Sequence, residues 1–223
     1  LALALDKPLI GVHHLEGHLL SAFLAPGAPA FDAACPFTAL IVSGGHTLLL
    51  RVFGPGHYQR LGESVDDAAG EALDKGANLL GLGYPGGPAI DRAARNGNPQ
   101  TVAFPRGRVK DDAGSFSFSG LKTALRYHLK QHPLAPEDGA RLADVAASYQ
   151  EAIVDALVAR TRPTLRDGRP LAVVGGVSLN RRLREKLAAC ADEQGVPLWL
   201  SPPAFCTDNA AMIAAAAGHG LGL

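Results

Sequence analysis

A buried strand followed by a glycine turn and a helix is the feature that most limits how this chain can fold. The stretch PLAVVGGVSLNRRLREKLAACADEQG at residues 170–195 begins with a fully apolar run, passes through two glycines and continues as a helix. A strand that is apolar at every position is typical of a parallel sheet whose two faces are covered by helices. VPLWL at residues 196–200 adds a further strand. These segments predict an α/β fold.

The remaining pattern predicts the other elements. FTALIV and TLLLRVFG, joined by Ser-Gly-Gly-His, and a third short run after Gly-Pro-Gly predict a β-meander with a glycine-rich first turn. PLIGV at residues 8–12 predicts a short buried strand that enters a helix beginning with HHLEGH. Ser64 is the predicted N-cap of the next helix, and Thr207, Asp208 or Asn209 that of the last one.

Composition excludes several classes of protein. A chain of 223 residues can bury one large core or two lobes. Lys plus Arg and Asp plus Glu each number 21, so a charged partner must meet a local patch. Three cysteines without a CxxC pair argue against a disulfide framework and favour a cytoplasmic location. The apolar stretches at both ends are too short to span a membrane, so we expect a soluble protein without a membrane partner.

Three histidines and a glutamate within six residues raise the question of a metal. Four residues turn a helix by about 400°, so His14 and His18 face the same side and both could bind one ion. The alternative is that these histidines are solvated or bonded to the backbone. Glu16 lies about 200° from His14, which does not fit the HExxH protease motif. His13 points elsewhere, and we expect it to be structural.

Three glycine-rich stretches lie beside strand ends or helix starts: VSGGHT, YPGGP and VVGGVSLN. An ordinary tight turn explains each one alone, but together they indicate a cleft that holds a nucleotide by its backbone. Asp208 starts a helix, where capping is the simplest role. It could instead complete a His-His-Asp ligand set.

Basic residues recur on two predicted helices. Lys122, Arg126 and Lys130 lie four residues apart. A second cluster comprises Arg181, Arg182, Arg184 and Lys186. A solvated face is the usual interpretation of such patterns, and contact with RNA phosphates is the alternative.

Six stretches, taken in chain order, resemble one known family. They are GVHHLEGHLLSAFL, LIVSGGHTLLL, GESVDDAAGEALDKGANLLGLGYPGGPAIDR, FSFSGLKTAL, VVGGVSLNRRLRE and SPPAFCTDNAAMIA. The chain is similar to bacterial tRNA N6-adenosine threonylcarbamoyltransferases, once described as glycoproteases. The resemblance implies an actin-like ATPase (ASKHA) fold with two lobes, of which the first is incomplete here. It implies a remnant of the first lobe at residues 1–36, a nucleotide-binding lobe at 37–206 and a returning C-terminal helix at 207–223.

The resemblance also implies a set of site residues. One Fe²⁺ or Zn²⁺ ion would be held by His14, His18 and Asp208. Contacts to threonylcarbamoyl-adenylate or ATP would come from Ile41, Val42, Ser43, Gly44, Gly45, Asp74, Gly87, Asp91 and Asn180. A metal with three protein ligands keeps open positions and can polarise a carbonyl. The two aspartates fit ribose hydroxyls, because a carboxylate can accept two hydrogen bonds.

The implied reaction moves the threonylcarbamoyl group from the adenylate to N6 of the adenosine adjacent to the anticodon of tRNA. The implied partners are tRNA, a paralogous dimerisation subunit of the same fold and a small ATPase. The sequence departs from the family because nothing corresponds to the family's N-terminal segment with its acidic phosphate motif. We therefore expect this chain alone to bind metal and nucleotide weakly, to transfer little, and to self-associate through the unpaired PLIGV strand.

Ile41 is a second departure, since archaeal and eukaryotic relatives place a metal-ligating Tyr there. Three other functions remain open at this point. A catalytically inactive scaffold of the same fold would lack the paired histidines, and a metalloprotease is disfavoured by Glu16. A carbamoyltransferase acting on a small molecule would share the metal site and differ in appended domains.

Overall fold

A computed structural model describes residues 1–107, 109, 112, 114–135 and 137–220. Its centre is a five-stranded mixed sheet in the order β3-β2-β1-β4-β5. The strands are β1 Phe37–Val42, β2 Thr47–Gly54, β3 His57–Glu63, β4 Leu171–Val174 and β5 Leu198–Leu200. β1, β2 and β3 pair antiparallel, and β4 joins β1 and β5 in parallel. The predicted α/β class, the meander and the parallel unit are all confirmed.

Eight α-helices cover the sheet in the described part of the chain. They are α1 His14–Ser21, α2 Phe31–Ala34, α3 Ala69–Leu79, α4 Gly86–Ala93, α5 Ser119–Gln131, α6 Gly139–Thr161, α7 Arg181–Gln194 and α8 Ala210–Gly220. None of the helices in the described ranges has the length and apolar character needed to cross a bilayer.

The two faces of the sheet are covered by different helices. Leu40, Val42 and Val173 belong to the larger hydrophobic cluster, which includes residues of α3 to α7. The alternate residues Ile41 and Val174 belong to a smaller cluster with residues of α1, α2 and α8. Because successive side chains of a strand point to opposite faces, β1 and β4 are buried on both sides. This explains why their sequences are apolar at every position.

The N-terminal helix packs against the C-terminal one. A Cβ on Gly17 of α1 would lie 3.2 Å from atoms of both Met212 and Ile213 of α8, so only a small residue allows this approach. The hydroxyl groups of Ser21 and Ser201 lie 2.7 Å apart and join α1 to the end of β5. The division into lobes at residues 36 and 206 stays a prediction, and residues 221–223 of its last segment lie outside the described residues.

Two expected local features are wrong, and the cap of α8 is one of its three predicted candidates. Residues 8–12 form no strand, because no described strand offers them a hydrogen-bonded partner. Ser64 does not cap α3, which starts after Ala68; its hydroxyl donates to the carbonyl of Asp67 instead. Of the three candidates to cap α8, Asn209 accepts the Met212 N–H at 2.9 Å. Asp208 is therefore not used as the cap.

Candidate functional site

Two histidines and one aspartate converge where α1 meets the start of α8. His14 and His18 are one turn apart on α1, and their Nε2 atoms lie 3.3 and 3.1 Å from Asp208 Oδ1. One ligand atom from each residue falls within 4.8 Å of the others. Two imidazoles and a carboxylate are a donor set suited to Zn²⁺ or Fe²⁺. The residues therefore fit a metal, and Asp208 is free for this role because Asn209 caps the helix.

The electrostatics of His18 favour the neutral, metal-binding form of its ring. Burial lowers the pKa of His18, and the neighbouring His14 lowers it further, which together outweigh the opposite effect of Asp208. A neutral imidazole keeps a lone pair for a cation. Its Nδ1 is buried and has no hydrogen-bond partner among the described residues, so burial and the Nε2 contact with Asp208 hold the ring.

Glu16 takes no part in this cluster. Its carboxylate accepts the Gly56 N–H at 3.0 Å and the hydroxyl of Tyr58 on β3. Burial, with this hydrogen bond as the next cause, raises the pKa of Tyr58. Glu16 is thus bound to the β2–β3 turn, which agrees with its predicted place away from the His14 and His18 face. His13 is exposed and its carbonyl accepts the N–H groups of Glu16 and Gly17 at the start of α1, a backbone role.

The glycine hairpin between β1 and β2 is held against the start of α3. Ser43 donates its N–H to the carbonyl of His46 at 2.8 Å, which closes the turn. Ala69 N–H donates to Thr47 Oγ1 at 2.8 Å, and a Cβ on Gly70 would lie 2.5 Å from the Ser43 carbonyl oxygen. The close approach of the two backbones requires glycine at position 70. It brings the hairpin to the edge of a cleft.

That cleft has a volume of about 560 Å³ and lies at the carboxyl ends of β1 and β4. Its lining includes five of the residues predicted to contact nucleotide: Gly44, Asp74, Gly87, Asp91 and Asn180. Ile41 and Val42 are fully buried in β1, and neither they nor Ser43 and Gly45 are part of this lining. A cleft at this edge is the usual ligand position in open α/β sheets.

The polar side chains of the cleft differ in whether their hydrogen-bonding atoms are already engaged within the protein. Asp74 Oδ1 accepts the Gly86 N–H at 2.7 Å. Asp91 Oδ1 is buried without a hydrogen-bond partner among the described residues and so is a free acceptor. The Asn180 amide is engaged at both atoms: Oδ1 caps α7 by accepting from Leu183, and Nδ2 donates to Gln150 at 2.7 Å. Asp91 is the best placed of these side chains to bind a hydroxyl group.

Comparison with known proteins identifies the family of the chain. The family model described as TsaD, tRNA N6-adenosine threonylcarbamoyltransferase, matches residues 1–215. The chain belongs to the tRNA N6-adenosine threonylcarbamoyltransferase family. The proteins of this name from Magnetococcus marinus and Anaeromyxobacter dehalogenans strain 2CP-1 are 58% and 54% identical to it. The alignments cover 97% and 99% of this chain but 61% and 65% of the relatives, so the chain spans less than two thirds of their length.

A solved structure supports the fold expected of a threonylcarbamoyltransferase. The crystal structure of T. kodakarensis HypF is similar with a TM-score of 0.67 at 16% identity, over 99% of this chain and 38% of that one. At this identity the likeness concerns the fold alone. The chain has the α/β, actin-like ATPase fold of the threonylcarbamoyltransferase family.

Sequence reasoning missed several residues of the cleft. Tyr84, Arg92, Arg95 and Thr207 also line the cleft. Arg95 lies four residues after Asp91 and three after Arg92, a helical spacing that could have been used as a signal. For Thr207 the sequence offered no signal beyond its position beside Asp208. Thr207 matters because its presence in the lining places the cleft next to the histidine and aspartate cluster.

The two basic clusters differ sharply. On α7, Arg182 and Lys186 are paired with Glu151 of α6, and Arg181 with Glu185. Arg184 donates to the carbonyls of Ser178 and Ser201. Three of the four cations of this cluster are therefore ion-paired within the protein, and the fourth is engaged by the backbone, which leaves them less available to RNA. On α5, Lys122, Arg126 and Lys130 line a separate surface groove.

Proposed function

We propose that this chain is the metal- and adenylate-binding part of a tRNA N6-adenosine threonylcarbamoyltransferase. The observation that supports the proposal most is the position of His14, His18 and Asp208 beside a cleft with a free buried carboxylate at Asp91. The membership of the family and the names of the relatives supply the substrate class. We also place the protein in the cytoplasm, because three cysteines without a CxxC pair fit a reducing compartment.

Each group of site residues has a separate proposed role. His14, His18 and Asp208 hold one divalent ion, with Fe²⁺ preferred and Zn²⁺ the alternative. When bound, this ion acts as a Lewis acid toward the threonylcarbamoyl group. Asp91, with Asp74, accepts hydrogen bonds from ribose hydroxyls of threonylcarbamoyl-adenylate or ATP. The Ser43–Gly45 hairpin, whose Gly44 lines the cleft, would orient the acyl phosphate through its backbone.

The transfer then balances without a further reactant. The N6 amine of the adenosine adjacent to the anticodon forms a bond to the carbamoyl carbon, the bond from that carbon to the phosphate oxygen breaks, and AMP and a proton leave. The partners we propose are tRNA, a paralogous subunit of the same fold and a small ATPase.

Metal analysis provides the first test of the proposal. The chain is loaded with Fe²⁺ without oxygen, or with Zn²⁺, desalted and analysed for bound metal. We expect His14→Ala and Asp208→Ala to lose the metal, because each removes one of three ligands. His13→Ala is the matched control, since it removes an exposed neighbouring imidazole outside the set. Equal metal content in all four proteins would contradict the metal site.

The release of AMP tests the reaction. Threonylcarbamoyl-adenylate is mixed with the metal-loaded chain and the proposed partner proteins, with and without tRNA. We expect AMP release that depends on tRNA, and a loss of that release in Asp208→Ala. Release of AMP without tRNA would instead indicate hydrolysis or transfer to a small molecule.

A further inference from the structure

An exposed helix face on α5 has positive charge that the protein does not neutralise. Lys122, Arg126 and Lys130 recur every four residues, so they lie on one face over roughly 12 Å of helix. With Tyr127 and Leu79 at the end of α3 they line a groove of about 690 Å³. We call this surface the α5 groove.

The charges of the α5 groove have no acidic partner among the described residues. α5 itself contains no Asp or Glu. Glu71 of α3 pairs with Lys75 at 2.9 Å and Asp138 pairs with Arg141 at 2.7 Å, while Asp66 at the start of α5 accepts hydrogen bonds from the hydroxyls of Ser117 and Ser119. The pKa of Glu71 is lowered mainly by Lys75, and Lys122 is the smallest of the causes. The three cations are therefore free to attract an anion.

An exposed aromatic ring lies among these cations. Tyr127 is 63% exposed, directly after Arg126. A partner that buries this ring would gain free energy from the contact. A tyrosine beside Lys and Arg is typical of surfaces that bind RNA, because bases stack on the ring while the cations contact phosphates. An acidic protein would also satisfy the cations, and it is kept as an outcome of the test.

The rest of the molecule strengthens the choice of this surface. The net charge is zero, so long-range attraction cannot bring RNA to the chain as a whole. On the other basic helix, α7, three of the four cations are ion-paired with Glu151 and Glu185, and Arg184 donates to backbone carbonyls. Among the described helices, α5 thus keeps the stronger positive surface.

We propose that the α5 groove binds the backbone of the RNA substrate, with Lys122, Arg126 and Lys130 on phosphates and Tyr127 stacked on a base. This proposal rests on the proposed function, because that function makes RNA the substrate. It adds a docking surface outside the cleft, on a helix that carries none of the proposed metal or nucleotide ligands.

The binding of a synthetic anticodon stem-loop RNA, followed by fluorescence anisotropy at several salt concentrations, tests the proposal. We compare the chain with K122Q/R126Q/K130Q and with K7Q/R60Q/R166Q, a control that removes the same charge from exposed cations elsewhere. The groove variant should bind at least tenfold more weakly and reduce the slope of log K against log salt by about two to three, since each phosphate contact contributes about 0.7–0.9. The control should keep its affinity within twofold of that of the unchanged chain. Its salt slope should stay within about one unit of the unchanged slope.

Tyr127→Ala separates RNA from an acidic protein as the occupant. Loss of stacking should weaken RNA binding about tenfold while leaving the salt slope unchanged. Circular dichroism melts confirm that each variant is folded. Equal losses in the groove and control variants would overturn the proposal. Competition by polyglutamate as strong as by RNA, with no effect of Tyr127→Ala, would also overturn it in favour of an acidic protein.

The failure of this proposal is distinguishable from that of the proposed function. RNA binding is measured without metal or adenylate, whereas the proposed function is tested by metal content and AMP release. Normal metal content with unchanged RNA binding in the groove variant would overturn the docking surface alone. Salt-dependent RNA binding through α5 without metal at His14, His18 and Asp208 would overturn the proposed chemistry alone.

Discussion

Gly86 and Gly87 are neighbours in the sequence but have different surroundings. A Cβ on Gly86 would lie 2.5 Å from the Cα and 2.8 Å from the Oδ1 of Asp74, whereas one on Gly87 would meet only Leu73 Cδ1 at 3.7 Å. We predict that Gly86→Ala lowers the free energy of unfolding by about 1–3 kcal/mol, because backbone atoms must move. Gly87→Ala should fold normally and weaken ADP binding several-fold, since its methyl group enters the cleft.

Urea unfolding and ADP titration of the two variants measure these effects. Gly120→Ala, on the exposed start of α5 with no atom within 4 Å of the added Cβ, is the control and should change neither quantity. The prediction is contradicted if Gly86→Ala is as stable as Gly87→Ala. The pattern YPGGP predicted a glycine approach at this place but could not assign the two glycines, because the difference depends on Asp74, twelve residues away.

The same limit applies to other single residues of the site. The spacing of His14 and His18 predicted a shared face, and the structure places Asp208 beside both. The sequence alone could not choose among three adjacent candidates to cap α8, and this choice leaves Asp208 free. The sequence also could not predict the hydrogen bond from the Asn180 amide to Gln150, because this contact depends on how α6 and α7 pack.

At the scale of elements, the pairing of α6 with α7 is electrostatic as well as apolar. Arg182 contacts both carboxylate oxygens of Glu151, at 2.7 and 2.8 Å, and Lys186 donates to it at 2.6 Å. The hydrogen bond from Arg182 is the largest cause that lowers the pKa of Glu151 from 4.5 to about 2. Folding thus favours the charged carboxylate. This contribution is fully present above the unfolded-state pKa and is lost as the pH falls toward 2.

We predict that Glu151→Gln lowers the free energy of unfolding at pH 7 by about 1–2 kcal/mol. The pKa shift corresponds to about 3 kcal/mol at most, reduced by the partial exposure of both cations to solvent. Urea unfolding from pH 7 to pH 2.5 should show the difference from the unchanged chain shrinking below pH 4.5 and falling to about a quarter of its pH 7 value at pH 2.5. Glu185→Gln, on the exposed face of α7, should change the stability by less than about 0.5 kcal/mol. A difference that persists at low pH would contradict this assignment.

Regular elements were the most predictable part of the fold. Continuous apolar runs predicted β1 and β4, and the Pro/Gly turn predicted α4, because burial on both faces and turn geometry leave a direct mark on the sequence. The expected strand at residues 8–12 has the same apolar character and is wrong. A strand depends on a hydrogen-bonded neighbour, which its own residues cannot reveal. The ion pairing of α7 was hidden for a similar reason, since Glu151 lies on another helix.

At the scale of the whole molecule, the two ends of the chain meet on one face of the sheet. α1 and α8 share a hydrophobic cluster with Ile41 and Val174, so the candidate metal ligands come from segments nearly two hundred residues apart. The larger cluster, on the opposite face, contains the helices that form the cleft walls. The topology therefore joins the metal cluster and the cleft at the carboxyl edge of the sheet. The family resemblance predicted this meeting, whereas no local pattern could.

The exposed apolar N-terminal segment leads to the last prediction, that this chain self-associates. Leu1, Leu3 and Leu9 are 99%, 98% and 85% exposed, an arrangement that water disfavours and that contact with a second copy would relieve. Sedimentation equilibrium should show a mass that rises with concentration. L1S/L3S/L9S should remain monomeric, because its segment has lost the three most exposed leucines. F53S/V65S, which alters apolar residues exposed elsewhere, should associate like the unchanged chain. A monomer at every concentration, or equal association of all three proteins, would contradict the prediction.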